Sequence, residues 1–199
     1  MKKILSTPIK TEDVASLKVG DVVYLNGLLV TCRDTGHKRR VLEGVIPKVD
    51  LNGGAVFHAG PIVKEVNGRL EIVAIGPTTS MRMEKYEKEF MELTGVKLII
   101  GKGGMGEKTT KACVENNVVH AVYPGGCAVV AADQVEELLD AEWLDLGMPE
   151  AFYVMRVKEF GPLIISIDTQ GNNLFEQNKR TFNERKVASL TELYGDLKK

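Results

Sequence analysis

Cysteine is scarce: Cys32, Cys113 and Cys127 are the only three in 199 residues, too few and too irregularly spaced for a disulfide framework. Long apolar runs are missing as well. The longest, such as 98–100 and 163–167, have strand length, far short of the ~20 residues a membrane span needs. No apolar stretch follows Met1-Lys2-Lys3, so no export signal is expected and the expected compartment is the cytoplasm. An excess of one charge is also absent. With 26 basic and 27 acidic side chains the formal net charge is -1, which removes any global electrostatic case for nucleic acid or a membrane surface as partner. A charged ligand must be held locally. No internal repeat, low-complexity tract or linker interrupts the chain. What is present, 44% hydrophobic residues and 20 glycines, suits an ordinary globular protein, with residues 1–199 expected to form a single domain.

The first third reads as strands and tight turns. Asp21–Leu25 and Leu28–Cys32 flank Asn26-Gly27, a dipeptide suited to a two-residue hairpin turn. Asn67-Gly68 repeats the signal between Ile62–Val66 and Arg69–Ile75, predicting a second hairpin. Asp34 is placed to cap a helix over Thr35–Glu43, with Gly44 as its stop. From Gly76 onward helices and strands alternate. Met83, Tyr86, Phe90 and Leu93 mark one face of a helix over Met81–Thr94, and Val96–Ile100 reads as a strand. A helix over Glu107–Asn116, a strand over Val118–Tyr123 and a helix reaching about Asp140 follow. Strands over Phe152–Val157 and Leu163–Asp168 and a polar C-terminal helix complete the chain. The fold class is α/β, with a β-rich N-terminal layer packed on a mostly parallel α/β layer.

Four constellations carry possible chemistry. In Cys32-Arg33-Asp34-Thr35-Gly36-His37-Lys38-Arg39-Arg40, cationic groups such as Arg33 lie beside a helix N-terminus, which favours an anion. Asp34 and His37 stand one helical turn apart, so the carboxylate can orient the imidazole as an acid or base. The alternative is an N-cap followed by a solvated basic face. In Gly76-Pro77-Thr78-Thr79-Ser80-Met81-Arg82, hydroxyls such as that of Thr79 and the Arg82 guanidinium are directional donors for a carboxylate; the alternative is a helix cap beside an exposed arginine. Gly101–Gly106 with Lys102 resembles a phosphate cradle, but no Gly-Lys-Ser/Thr ends it and no acidic ribose partner follows. Tyr123-Pro124-Gly125-Gly126-Cys127 places Cys127 where a helix opens, a setting for a reactive thiol or for a simple packing residue. His37, His58 and His120 and the cysteines show no paired ligand spacing, so no metal site is expected in this chain.

Taken in order, Cys32–Lys38, Phe57-His58-Ala59-Gly60-Pro61, Gly76–Met83, Gly101–Met105, Tyr123–Ala128 and Gly147-Met148-Pro149-Glu150-Ala151 resemble the β subunit of class I fumarate hydratase and L(+)-tartrate dehydratase. This is the equivalent of the C-terminal domain of the single-chain iron–sulfur hydro-lyases. The resemblance implies a swivelling β/β/α domain that acts with an α subunit carrying a 4Fe-4S cluster, reversibly dehydrating a 2-hydroxy dicarboxylate. In that family the iron lacking a cysteine ligand is a Lewis acid toward the substrate; this chain would supply part of the pocket and not the metal. The resemblance assigns His37 to proton transfer or to orienting the group that performs it, with Asp34 beside it, and Arg82 to a substrate carboxylate, with Thr79 assisting and Arg33 nearby. It aligns Lys102 with a lysine of the equivalent glycine-rich loop, where single-chain members have Lys-Gly-Asn-Arg and Met105 departs from that form. Cys127 falls near a position where some members carry a threonine proposed as the catalytic base. Assembly of αβ units into a larger oligomer is left open. Two other readings remain: the small subunit of an aconitase-like isomerase, whose serine-arginine loop would replace these glycine turns, and a non-enzymatic module binding a small carboxylate or phosphate.

Overall fold

The computed structural model describes residues 3–195; Met1 and Lys2, part of the argument about export, lie outside them. The chain runs β1 (Lys3–Ser6), α1 (Thr11–Ala15), β2 (Val22–Thr31), α2 (Asp34–Val41), β3 (Ala55–Phe57), β4 (Ile62–Val66) and β5 (Arg69–Ala74). A 3₁₀ turn at Ser80–Arg82 leads into α3 (Glu84–Thr94), β6 (Leu98–Gly101), α4 (Glu107–Asn116), β7 (Val119–Val122) and α5 (Ala128–Asp133). Then come β8 (Val135–Glu142), β9 (Phe152–Ile167) and α6 (Leu174–Tyr194). No described helix is long and apolar enough to cross a membrane.

The mixed α/β class holds, but the two expected layers are one curled sheet. Its order is β1-β2-β3-β6-β7-β9-β8, and β2 also pairs with β9, so the path β2-β3-β6-β7-β9 returns to its start. The neighbours from β1 to β7 are parallel, whereas β9 runs antiparallel to β2, β7 and β8. All five strands of the ring send alternate residues into one core, among them Leu25, Phe57, Ile100, Ala121, Phe160 and Ile165. The intervening residues Val30, Val56, Ile99 and Ile167 face outward and meet Phe90 and Met91 of α3 and Ala112 and Cys113 of α4 in a second core.

Three expectations need correction. Asn26-Gly27 does not turn a hairpin, because both flanking runs belong to the single strand β2. The dipeptide instead forms an irregularity where β2 crosses β9: the register shifts between Leu25 and Gly27, Gly27 takes φ +97°, and Asn26 Oδ1 accepts the Glu159 N–H at 2.6 Å. The helix expected to reach Asp140 stops at Asp133, and Val135–Glu142 becomes β8, since the edge of β9 offers it a ladder. The two C-terminal strands are likewise one strand, β9, through Gly161-Pro162. Pro162 has no N–H to give, and the Gln134 amide mends the ladder there, donating to the Gly161 carbonyl at 2.7 Å and accepting its N–H at 3.1 Å. The hairpin at Asn67-Gly68 forms as expected, pairing β4 with β5.

Candidate functional site

The glycine-flanked bends meet at one end of the parallel strands, where ligands of open α/β sheets are also found. Loop 76–82 lies along the end of β6: Lys102 N donates to the Thr78 carbonyl at 3.1 Å and Ser80 N to the Lys102 carbonyl at 3.0 Å, and Thr79 and Lys102 form an isolated parallel bridge. Gly101 permits this approach, since a Cβ there would collide with Ser80 Oγ. The bend after β7 joins from the other side, with Ile75 N donating to the Ala128 carbonyl at 2.9 Å. A Cβ on Gly125 would stand 3.6 Å from Lys102 Cδ. Thus Thr79, Arg82 and Lys102, all exposed, and the half-buried Cys127 share one face.

The N-terminus of α2 completes it. Asp34 is not a cap; its carboxylate holds Arg82 through Nε at 2.8 Å and Nη2 at 2.6 Å, and Arg33 occupies the N-cap position without a side-chain cap. The Glu150 carboxylate supplies the missing acceptor, taking the Thr35 N–H at 3.0 Å while pairing with Arg33 Nε at 3.0 Å. Each arginine is therefore fixed along one edge by a carboxylate. Arg82 turns Nη1 toward Thr78 Oγ1 at 3.4 Å, and its remaining N–H groups, with the half-exposed side chain, are left for a ligand. Lys102 is exposed and, among the described residues, makes no ion pair. The chemistry such a face offers is the binding of a small anion by two guanidinium edges and an ammonium. A hollow of about 530 Å³ elsewhere is lined by Arg69, Glu71, Glu136, Glu137 and Asp140, a largely acidic set unsuited to anions.

His37 lies behind this face, fully buried. Its Nδ1 meets the Arg33 carbonyl at 2.9 Å, and Nε2 faces Glu87 Oε1 at 3.6 Å. The expected pairing with Asp34 is not made, because Asp34 turns outward to Arg82. Sequence reasoning missed Glu87, and with it a buried polar chain. His58 Nε2 stands 3.2 Å from Glu87 Oε2, His58 Nδ1 3.0 Å from Ser80 Oγ, His120 Nε2 3.1 Å from the same hydroxyl and His120 Nδ1 2.6 Å from Ser166 Oγ. Burial favours a neutral Glu87, but the two imidazoles outweigh it and hold the carboxyl far below its ordinary range. Burial likewise opposes charge on His37, yet the Cys32 sulfur and Glu87 beside it keep its pKa well above the usual value. Burial lowers His58 and takes His120, with His58 nearby, down to about 3. The one signal available in the sequence was a histidine in each of two apolar strand segments, His58 after β3 and His120 in β7.

A 4Fe-4S cluster needs three thiolates within reach of one another, and this chain does not provide them. Cys32 and Cys113 are buried in the second core, while Cys127 packs against the first. Among the described residues the one group of ligating side chains in mutual reach is His37, His58 and Glu87, without a cysteine.

With the fold and this anion-binding face in place, comparison with known proteins gives the class: the chain belongs to the Fumarase C-terminus family, whose model matches residues 2–178. Among individual proteins, it is 57% identical over 194 residues to the L(+)-tartrate dehydratase subunit beta of Escherichia coli (strain K12), covering 97% of this chain and 96% of that one. It is 44% identical over 190 residues to the putative L(+)-tartrate dehydratase subunit beta of Methanocaldococcus jannaschii, with 92% and 94% covered. It is also 41% identical over 182 residues to the putative fumarate hydratase class I of Geobacillus stearothermophilus, spanning 91% of this chain but 35% of that longer protein.

Proposed function

We propose that this chain is the β subunit of a hydro-lyase that reversibly removes water from a small 2-hydroxy dicarboxylate, malate or tartrate, in complex with an α subunit that carries the iron–sulfur cluster. The observation that supports this most is the convergence of Arg33, Arg82 and Lys102, with Thr79, on one open face that lacks cluster ligands. The full-length likeness to tartrate dehydratase β subunits agrees with it.

In this reading the free N–H groups of Arg82 and Arg33 and the Lys102 ammonium bind and orient a carboxylate, and Thr79 adds a hydroxyl. Asp34 holds the half-exposed Arg82 guanidinium, and Glu150 and the Pro149 carbonyl hold the more enclosed Arg33, so less side-chain entropy is lost on binding. His37 is enclosed, and its part is to hold the Arg33 backbone carbonyl in place. Proton transfer then falls to groups at the face itself. Cys127 Sγ and Thr78 Oγ1 are among its heteroatoms outside any ion pair, and the Arg82 N–H directed at Thr78 Oγ1 favours that hydroxyl as it loses a proton. The chain moves as a swivelling body against the α subunit, closing the face over the substrate and excluding water.

Anaerobic co-expression with the α subunit, followed by assays with L(+)-tartrate and with malate and fumarate, tests the reading. Turnover of at least one of these is expected. A complete complex with an intact cluster that converts none of them rejects it.

A further inference from the structure

The proton positions in the buried chain follow from its acceptors. Ser166 has a single hydroxyl proton, which it donates to the His120 carbonyl at 3.2 Å. It therefore accepts from His120 Nδ1 at 2.6 Å, which leaves a lone pair on His120 Nε2. That lone pair takes the Ser80 proton at 3.1 Å, so Ser80 Oγ accepts from His58 Nδ1 at 3.0 Å. His58 Nε2 is left with a lone pair. His37 Nδ1 donates to the Arg33 carbonyl at 2.9 Å, so its Nε2 is the atom that a cation would meet in place of a second proton. Two imidazole Nε2 atoms and a carboxylate thus converge on one spot.

Nothing in the protein answers them. His37 Nε2, His58 Nε2 and both Glu87 oxygens are buried without a hydrogen-bond partner, although 3.6 Å and 3.2 Å separate the facing atoms. At 3.2 Å a hydrogen-bonded pair would be aligned; this one is not. Ligands at about 2.0–2.2 Å from a tetrahedral ion are roughly 3.3–3.5 Å apart; each imidazole Nε2 stands near that distance from one Glu87 oxygen, and the ligand atoms all lie within 4.8 Å of one another. A single proton satisfies one imidazole and leaves the other lone pair against a carboxylate, whereas one cation satisfies every atom. The second ring nitrogens donate to a backbone carbonyl and a hydroxyl, as the outer partners of metal-bound histidines do.

We propose that His37, His58 and Glu87 form a buried site for one divalent zinc-class ion, held by two imidazole Nε2 atoms and the Glu87 carboxylate. The all-nitrogen-and-oxygen donor set separates it from an iron–sulfur centre. All three side chains are fully buried, which shields the ion from solvent, and three protein ligands leave one position of a tetrahedral ion open. The site ties together α2, the chain end following β3, and α3, and so braces from behind the segments that carry Arg33 and Arg82.

Elemental analysis of the untagged full chain, alone and in its complex with the α subunit, tests this independently of any activity. The expected result is ~1 zinc per chain, retained through dialysis, with cobalt replacement giving the visible spectrum of a nitrogen–oxygen site lacking thiolate bands. Glu87→Gln and His58→Asn should reduce bound metal at least tenfold, while Glu107→Gln, on the exposed side of α4, should not. If the ligand variants fail to fold, X-ray absorption at the zinc edge of the unaltered chain decides, through a first shell of nitrogen and oxygen without sulfur. A chain that purifies without a divalent ion and takes up none when refolded with zinc overturns the proposal, as does a first shell containing sulfur.

Discussion

Arg82 is the residue on which substrate capture should depend most directly. Asp34 fixes its Nε edge at 2.8 Å, so replacement by Met removes a pre-aimed charged donor without opening the core. Arg82→Met is expected to raise KM in the assembled enzyme roughly ten- to hundredfold, the value of one or two charged hydrogen bonds, with kcat less affected; steady-state kinetics check it. The thiols give a second residue-level outcome. Burial pushes Cys113 far up and Cys32 is equally enclosed, whereas Cys127 is partly exposed. Alkylation of the native chain followed by mass spectrometry should modify Cys127 first; prior modification of Cys113 would contradict the packing. Individual residues were only half legible in the sequence. Arg33, Thr79, Arg82 and Lys102 could be picked out because arginines, hydroxyls and lysine between glycines are themselves the signal. Glu87 could not. The apolar positions Met83, Tyr86, Phe90 and Leu93 suggested one buried stripe, yet Leu93 is 47% exposed and Glu87 is fully buried. A charged residue reads as solvent-facing until its partners, His37 and His58, arrive from elsewhere in the chain.

Elements whose boundaries are set locally were legible, and those decided by distant pairing were not. The Asn67-Gly68 hairpin and the helix Glu107–Asn116 form as their own residues dictate. The continuous β2 and β9 depend on pairings across more than a hundred positions, such as Gly27 with Val157, and β8 on the free edge of β9, which no local pattern encodes. α6 is the clearest case of an element held at one end. It has no buried residue, and Asn173 anchors it, accepting from Phe175 N and Glu176 N while donating to the Met105 carbonyl at 3.1 Å and Thr110 Oγ1 at 3.0 Å. Asn173→Ala should cost about 1–3 kcal/mol and free the amides of the first turn to hydrogen exchange. Truncation after Asn178, where the family match also ends, should by contrast shift Tm by less than ~4 °C. A truncated chain that unfolds outright would mean that α6 packs more intimately than its exposure indicates.

At the level of the whole molecule, the exposed Arg82 and Lys102, with the more enclosed Arg33 nearby, describe a face and not an enclosed pocket, which fits half of a cleft closed by a second chain. If the chain swivels against the α subunit, small-angle scattering of the complex should show a smaller radius of gyration when a non-reactive dicarboxylate is added. An unchanged radius would count against a moving body. The overall class was readable from the rhythm of strands and helices, but the ring was not, because its closing strand is written as two short ones separated by Gly161-Pro162.

That ring also orders events during synthesis. β2, β3, β6 and β7 leave the ribosome first and can pair with one another, but the outer margins of β2 and β7 stay open until Phe152–Ile167 is released to seal them. Nascent fragments that end before Ile167 therefore carry raw strand margins able to stick to one another. Messages cut short in this region should yield insoluble protein, and chaperone dependence should be concentrated in the last fifth of translation.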